Sequence, residues 1–399
     1  MVLFINPAFW IIAAAVYLLL LFETPRRATL RFGLFNIAAL AILLGWKVAA
    51  AVFLFVLLFW GVLYRLRLWL RGSHWKADTG AGFALILMLA LVFWVHKLNL
   101  EDGAFVSRFS QAAPWARPDL LLPFLAMLSF SYIFVRSVEL VHCVIWKRMP
   151  LLDPVSLAGY LVPFHMLVAG PVNIYSEHLE MDPSPPPAPN SSQVLIVLNE
   201  ITTGLFYKFV IAEGIRIYFY GLEGHFTVAS LFDSGVLVVY TFFDFAGYSR
   251  VARGIGRLFG VPTPENFSAP FRSTSVTDFW TRWHISMGLF VRRNLFTPLQ
   301  LQLVRKVGIR RAAWASVLTM IVSFGFVGLW HRLSWTWFLW GALMGLLMAA
   351  EKTAQGYFLK WGWNQSPRAQ FCLRILGPVY VFSVVIVSAY FVANEIFPA

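Results

Sequence analysis

The sequence predicts an all-α, multi-pass integral membrane protein, and three observations carry that prediction. Hydrophobic residues make up 59% of the 399 positions and charged residues only 13%, with a mean hydropathy of +0.70, far more apolar than an average water-soluble domain. Apolar runs follow one another from Pro7 to Phe397 with no long polar block between them. Basic residues gather in the short stretches between runs, as in loops facing a cytoplasm. Together these predict about ten transmembrane helices plus one or two re-entrant or interfacial pieces, in a single membrane-embedded domain over residues 1–399.

The first run, Ala8 to Phe22, lacks a preceding basic residue and a small-residue cleavage site, so it is expected to stay attached rather than act as a secretory signal. Arg26, Arg27 and Arg31 follow it, which puts the N-terminus outside and this loop in the cytoplasm. The next basic loop, Arg65, Arg67, Arg71 and Lys76, is then also cytoplasmic, so Phe32 to Tyr64 must cross twice and turn near Trp46-Lys47. Ala81 to His96 comes next, then a mixed-charge loop to Asp119, then Leu120 to Ile145, closed by Lys147 and Arg148.

Leu157 to Val172 is apolar but contains Pro163, Gly170 and Pro171, which predicts a broken or re-entrant segment. Irregular backbone at membrane depth needs protein or a water-filled cavity to cover it. Met181 to Asn190, MDPSPPPAPN, reads as a polyproline-type linker. Val194 to Leu222 is a long span carrying Glu200, Lys208, Glu213 and Arg216, which either pair inward or snorkel to the interface. Val228 to Phe259 begins as a span and becomes Gly-rich and Arg-bearing, and Phe267 to Leu299 is amphipathic, crowded with Trp and Arg, and too polar to cross lipid alone. The last spans are Ala312 to Trp330, Thr336 to Ala350 and Leu376 to Val392, with a GxxxG at Gly341 and Gly345 that permits close helix approach.

A net charge of +13 raises nucleic acid as a partner, but its distribution argues against it. Eleven Lys or Arg stand against Glu265 and Asp278 between Arg250 and Arg311, as expected of a cytoplasmic face on anionic lipid. A phosphate-bearing donor at that face is the functional alternative. The two cysteines, Cys143 and Cys372, lie in apolar surroundings and predict packing rather than a disulfide or a metal site.

Of the eight histidines, His74, His178 and His225 fall in loops, His96 at a helix end, and His142 and His165 within apolar runs as packing residues. His331 is different, because Phe324 to Trp337 places it between two strongly apolar segments, where an ionisable group is costly. A continuous helix brings Trp335 and Phe338 onto its face, and desolvation by such walls keeps an imidazole neutral and able to accept a proton. A structural histidine bonded to a neighbouring helix is the alternative.

His284 stands 47 positions earlier, in Asp278-Phe279-Trp280-Thr281-Arg282-Trp283-His284-Ile285-Ser286. Phe243-Asp244-Phe245-Ala246-Gly247-Tyr248-Ser249 precedes it, then Pro264-Glu265-Asn266-Phe267 with Pro270-Phe271; Gly328-Leu329-Trp330-His331 follows. In this order, with Leu167-Val168-Ala169-Gly170-Pro171 upstream, they resemble bacterial membrane-bound O-acyltransferases (MBOAT) of the alginate or polysaccharide O-acetyltransferase and teichoic-acid D-alanyltransferase type. The resemblance covers about 161–345.

That resemblance implies helices around a central funnel, with His331 catalytic and His284 a second site residue. The acyl group arrives as a cytoplasmic thioester, of coenzyme A or an acyl carrier protein, with no bound cofactor or metal. It leaves on the outer face of the bacterial cytoplasmic (inner) membrane, to an envelope polysaccharide or peptidoglycan, often through an extracytoplasmic SGNH-type partner protein. Arg282, Arg292 and Arg293 are candidates for holding donor phosphates, and Trp283, Trp330, Trp335, Asp244 and Asn266 for lining the site. Two departures stand out: many relatives carry glycine at Arg332 and histidine at Met344, and the stretch after Ser286 lacks a common aspartate.

The expected activity is transfer of a small acyl group to a hydroxyl, acetyl ahead of D-alanyl, with His331 as general base. A hydroxyl is too weak an acid to attack a thioester unaided, and a positioned neutral imidazole contributes about 10²- to 10⁴-fold. The rivals from other classes are a transporter or export channel, which leaves the Trp-His motifs unexplained, and an inactive scaffold.

Overall fold

The computed structural model describes residues 4–21, 28–70, 75–102, 130–182, 191–221, 228–360 and 366–396. Among them every regular element is a helix, and the single strand-like feature is an isolated bridge between Phe267 and Trp283. The stretch from residue 103 to 129, most of the proline-rich linker, His74 and His225 lie outside the described residues, as do the side chains of His96 and Cys372. Contacts divide the chain into two compact units, Met1–Ile201 with Val251–Pro264, and Thr202–Arg250 with Glu265–Ala399.

The first unit opens with α1 (Pro7–Leu21), α2 (Ala28–Leu44), α3 (Trp46–Trp69) and α4 (Trp75–Asp102). Phe32 to Tyr64, expected to cross twice, folds as two helices, α2 and α3, broken at Gly45, whose φ of 86° suits glycine alone. Next come α5 (Phe130–Val141), running into a π turn at His142–Trp146, then α6 (Pro154–Leu161), a 3-10 turn at Phe164–Met166, and α7 (Tyr175–Leu179). Asp153 starts α6 by accepting from Val155 N and Ser156 N at 3.0 and 3.1 Å, with Pro154 in the first turn.

The segment after α6 is broken, as Pro163, Gly170 and Pro171 predict. Two buried side chains satisfy the backbone it frees. Asn36 on α2 donates to the carbonyls of Ala158 and Val162 and accepts from Phe164 N at 2.7 Å. Arg136 on α5, fully buried, donates to the carbonyls of Leu161, Met166 and Pro171 and to Asn173 Oδ1. Each such group left unbonded costs about 1–3 kcal/mol, which explains a guanidinium in an otherwise apolar interior. His178, read from the sequence as a loop residue, is instead buried in α7 against Tyr160, and His165 is buried beside Thr263 at 3.2 Å.

The long polar-dotted span becomes α8 (Ser191–Phe206), a π turn at Tyr207–Ala212, and α9 (Glu213–Tyr220), followed by α10 (Leu231–Phe259). Each of its charges has an ionic partner. Within the first unit Glu200 accepts from Arg253 and from Arg257, the latter at 2.8 Å; within the second, Lys208 pairs with Asp244, and Glu213 with Arg216 at 2.6 Å.

The second unit continues with a 3-10 turn at Pro270–Arg272, α11 (Val276–Arg282), α12 (Ile285–Val291), a π turn at Arg292–Phe296, α13 (Thr297–Val307), α14 (Ala312–His331), α15 (Trp335–Lys360) and α16 (Pro367–Ile396). The amphipathic stretch thus folds as short helices, none long enough to span a bilayer. α14 and α15 form the tightest hairpin: a β-carbon at Gly341 would stand 2.0 Å from the Phe324 carbonyl oxygen, and one at Gly345 2.5 Å from that of Met320. The GxxxG therefore does what its spacing predicts.

Among the described residues four helices are long and apolar enough to cross a membrane, Trp46–Trp69, Ser192–Tyr220, Ile309–His331 and Leu373–Ala393, and Ala28–Leu44 and Thr79–Val95 are shorter apolar helices.

Candidate active site

The two singled-out histidines both belong to the second unit, and two chain breaks position them. His284 stands between α11 and α12 with φ 48° and ψ 50°, a left-handed conformation rarely adopted outside glycine. Such a residue costs about 1–3 kcal/mol and persists only where its surroundings hold it. Asn266 supplies that hold. Its carbonyl accepts from Ile285 N at 3.0 Å, its Oδ1 accepts from Ser286 Oγ at 2.6 Å, and its Nδ2 donates to Ser249 Oγ at 3.0 Å.

The neighbours reinforce the bracket. Phe267 and Trp283 form the isolated bridge, and Ser268 N donates to the Arg282 carbonyl at 3.0 Å. Phe245 meets the His284 ring edge-on at 4.8 Å. Burial, helped by the neighbouring His331, pushes the His284 imidazole down to about 3, so it is neutral at physiological pH.

His331 is the last residue of α14, and Arg332 leaves the helix with φ −150° and ψ 140°. The continuous helix expected from Trp330 to Phe338 is therefore absent, and the wall differs accordingly. Trp330, Trp337 and Trp340 surround the His331 ring at 4.9, 5.3 and 6.2 Å, whereas Trp335 is 79% exposed and packs on Phe338 instead. Placing Trp335 beside His331 is thus a correction. The three-residue break resets the helical phase, so spacing counted through it fails.

The burial also falls elsewhere than expected. His331 is exposed, walled by indoles but open, while His284 is 8% exposed. Trp330 links them, lying 6.1 Å from His284 and 4.9 Å from His331 between ring centroids. The arrangement thus sets an open imidazole and a buried neutral one on either side of Trp330.

The remaining candidates separate by role. Trp283 is half-buried and stacks on Phe279 at 5.4 Å. Arg282 bonds Asp278 Oδ1 at 2.8 Å and reaches the Ser268 carbonyl. Arg292 is exposed and Arg293 half-buried, in the π turn directly after α12. Asp244 is engaged with Lys208, and three residues on, a β-carbon at Gly247 would stand 2.7 Å from the Gly204 carbonyl oxygen.

Met344 is buried with Val276, Trp337, Trp340 and Val392 beneath the indole wall. Among the described residues no three His, Cys, Asp or Glu side chains converge as a metal site.

Sequence reasoning missed three residues that hold this arrangement. Glu351 on α15 accepts from Val276 N at 2.7 Å and from Thr277 N and Oγ1 at 2.8 and 2.7 Å, satisfying the free N–H groups that start α11. Trp337 and Trp340 wall His331. Trp337 and Trp340 lie beyond the break, and Glu351 is joined to its partners across 75 positions of chain, so no local spacing announces them.

Residues 42–361 match the MBOAT, membrane-bound O-acyltransferase, family. The chain is 26% identical over 67% of its length to the "Teichoic acid D-alanyltransferase" of Bacillus subtilis (strain 168), covering 68% of that protein. It is 26% identical over 80% of its length to the "Probable alginate O-acetylase AlgI" of Pseudomonas fluorescens, covering 67% of it. To the "Peptidoglycan O-acetyltransferase" of Helicobacter pylori it is 29% identical over 47% of its length, covering 36% of that relative. The family match runs over both chain breaks, and through it the chain belongs to the membrane-bound O-acyltransferase family and is an O-acyltransferase.

Proposed function

We propose that this enzyme moves a small acyl group, acetyl ahead of D-alanyl, from a cytoplasmic thioester to a hydroxyl of an envelope polysaccharide or peptidoglycan, or of a partner protein that passes it on. The supporting observation is the open His331 ring, set at the end of α14 against Trp330, Trp337 and Trp340. In the proposed step the hydroxyl oxygen attacks the thioester carbonyl carbon while His331 takes its proton. The carbon–sulfur bond then breaks, the thiolate leaves, and the imidazolium returns the proton to it.

The indoles exclude water from one side of the acyl group, which limits hydrolysis. His284, neutral and held by Asn266, backs Trp330 of that indole wall at 6.1 Å. Arg282, Arg292 and Arg293 offer charge for coenzyme A or phosphopantetheine phosphates. A chain crossing the bacterial inner membrane about ten times, with its N-terminus outside and an SGNH-type partner or a carrier protein alongside, completes the proposal. The named relatives support both acyl groups, two being described as O-acetylating enzymes and one as a D-alanyltransferase.

The test is purified protein incubated with acetyl-CoA or a D-alanyl-loaded carrier protein, plus an envelope-polymer fraction, following free thiol and label on the polymer. Acetyl-CoA is expected to give both, and His331→Ala to lower the rate by about 10²-fold or more. Label from the D-alanyl donor alone moves the assignment to that group. Thiol release in His331→Ala equal to wild type removes His331 from the chemistry.

A further inference from the structure

We infer that Glu395, in the last turn of α16, is a positioning residue that sets the place of His331 through the break between α14 and α15. The inference rests on the role proposed for His331. A break between helices exposes free N–H groups at one end and free carbonyls at another, and both ends carry partial charge. Here one residue, Glu395, meets both of two such ends.

Ser334 caps α15: its Oγ accepts from Trp337 N at 3.3 Å and donates to Glu395 Oε2 at 2.6 Å. The Glu395 carboxylate thereby lies at the start of α15, where a negative charge is stabilised. In return Arg332 donates to the Glu395 backbone carbonyl, among the last of α16, and its Nε lies 3.9 Å from Oε2. A cation at a helix C-terminus is the complementary arrangement. Burial on its own would raise the Glu395 carboxyl; the hydrogen bonds from Ser334 and Thr336 and the Arg332 charge outweigh it and hold the group below the usual carboxylate range.

The clamp touches both sides of the imidazole. Arg332 is the residue after His331 and is kept extended, while Trp337, whose N–H the Ser334 cap receives, is the indole 5.3 Å from the His331 ring. Glu395 thus ties the backbone that carries the imidazole to the helix that walls it. Without the carboxylate, Arg332 keeps its bond to the backbone carbonyl of α16 but loses the charge beside it, and the Ser334 cap that starts α15 loses its anchor.

The experiment uses full-length protein in detergent, as wild type, Glu395→Ala, Glu395→Gln and Ser334→Ala, with two readouts. The first is kcat and KM for thiol release. The second, which needs no activity, is the rate at which diethyl pyrocarbonate modifies His331, read by mass spectrometry of its peptide.

Glu395→Ala is expected to lower kcat about tenfold or more with KM within about twofold, and to change the modification rate about threefold. Glu395→Gln still accepts from Ser334 and is expected to recover most of both, and Ser334→Ala to follow the alanine variant. Wild-type values of both readouts in Glu395→Ala overturn the inference. So do equal losses in the alanine and glutamine variants that merely track a fall in thermal stability. If wild type itself releases no thiol from either donor, the proposed function falls, and the modification rates still decide the role of Glu395.

Discussion

Gly328 and Trp337 are in backbone contact: a β-carbon on Gly328 would stand 1.9 Å from the Trp337 carbonyl oxygen. Gly328 lies one turn before His331, and Trp337 is part of its indole wall. The depth of the α14–α15 hairpin therefore sets how far the imidazole stands from its wall.

Gly328→Ala is accordingly expected to force the helices apart, at an overpacking cost of about 1–3 kcal/mol, and to lower thermal stability and thiol release together. Gly356→Ala on the same hairpin is the control, since a β-carbon there meets nothing within 4 Å. It is expected to be neutral or stabilising by up to ~1 kcal/mol. Equal behaviour of the two variants in a thermal melt would contradict the close approach.

Asn266 holds the left-handed His284 backbone with its carbonyl and both atoms of its amide. Asn266→Ala removes the amide and strands Ser249 and Ser286, at about 1–3 kcal/mol for a buried group left unbonded. Denaturant unfolding should show that loss. Diethyl pyrocarbonate is expected to modify His284, 8% exposed, faster in the variant than in wild type. An unchanged rate would mean that His284 keeps its place without the bracket.

Lys208 is 6% exposed in its side chain and pairs with Asp244, 26% exposed, in the second unit. Lys208→Met is expected to destabilise by about 2 kcal/mol, below the 3–5 of a fully buried pair because water reaches the remaining carboxylate. Lys208→Met with Asp244→Leu together should recover at least half of that. A double variant as unstable as the sum of the singles would show that the residues act independently.

Two buried imidazoles set an acid limit. Burial holds His284 at about 3 and His178 at about 4, both below the ordinary 6.5 of the unfolded chain. Above about pH 6.5 both states are neutral and their contribution is fully present. As pH falls from about 6.5 towards 3, the unfolded chain takes up protons that the native one refuses, so stability declines. Thermal midpoints measured from pH 7.5 to 4.5 should fall, and His284→Phe should flatten the decline. A midpoint constant over that range would contradict neutral burial.

Much of the architecture is legible in the chain itself. Apolar runs, the Gly45 turn and the Pro163 to Pro171 break have local causes, since they arise from hydropathy, a φ only glycine favours and a missing N–H. The two histidines stand out for a similar reason, as rare ionisable groups in apolar or Trp-rich surroundings. The surroundings of His331 do not follow, because predicting Trp335 on its face requires an unbroken helix. What ends that helix includes Glu395, 63 positions beyond Arg332.

Composition and order of residues by themselves determined a helical membrane protein with Gly341 and Gly345 at a close helix crossing, a broken segment after α6, and His284 and His331 as the groups to watch. Only the tertiary structure decided which imidazole is buried, which indoles wall the other, and that Asn36, Arg136, Asn266, Glu351 and Glu395 close the breaks. The physical reason is range. Helix formation and hydropathy act within a few residues, whereas a free N–H or carbonyl at a chain break is satisfied by whichever side chain packing brings there, often from far along the chain.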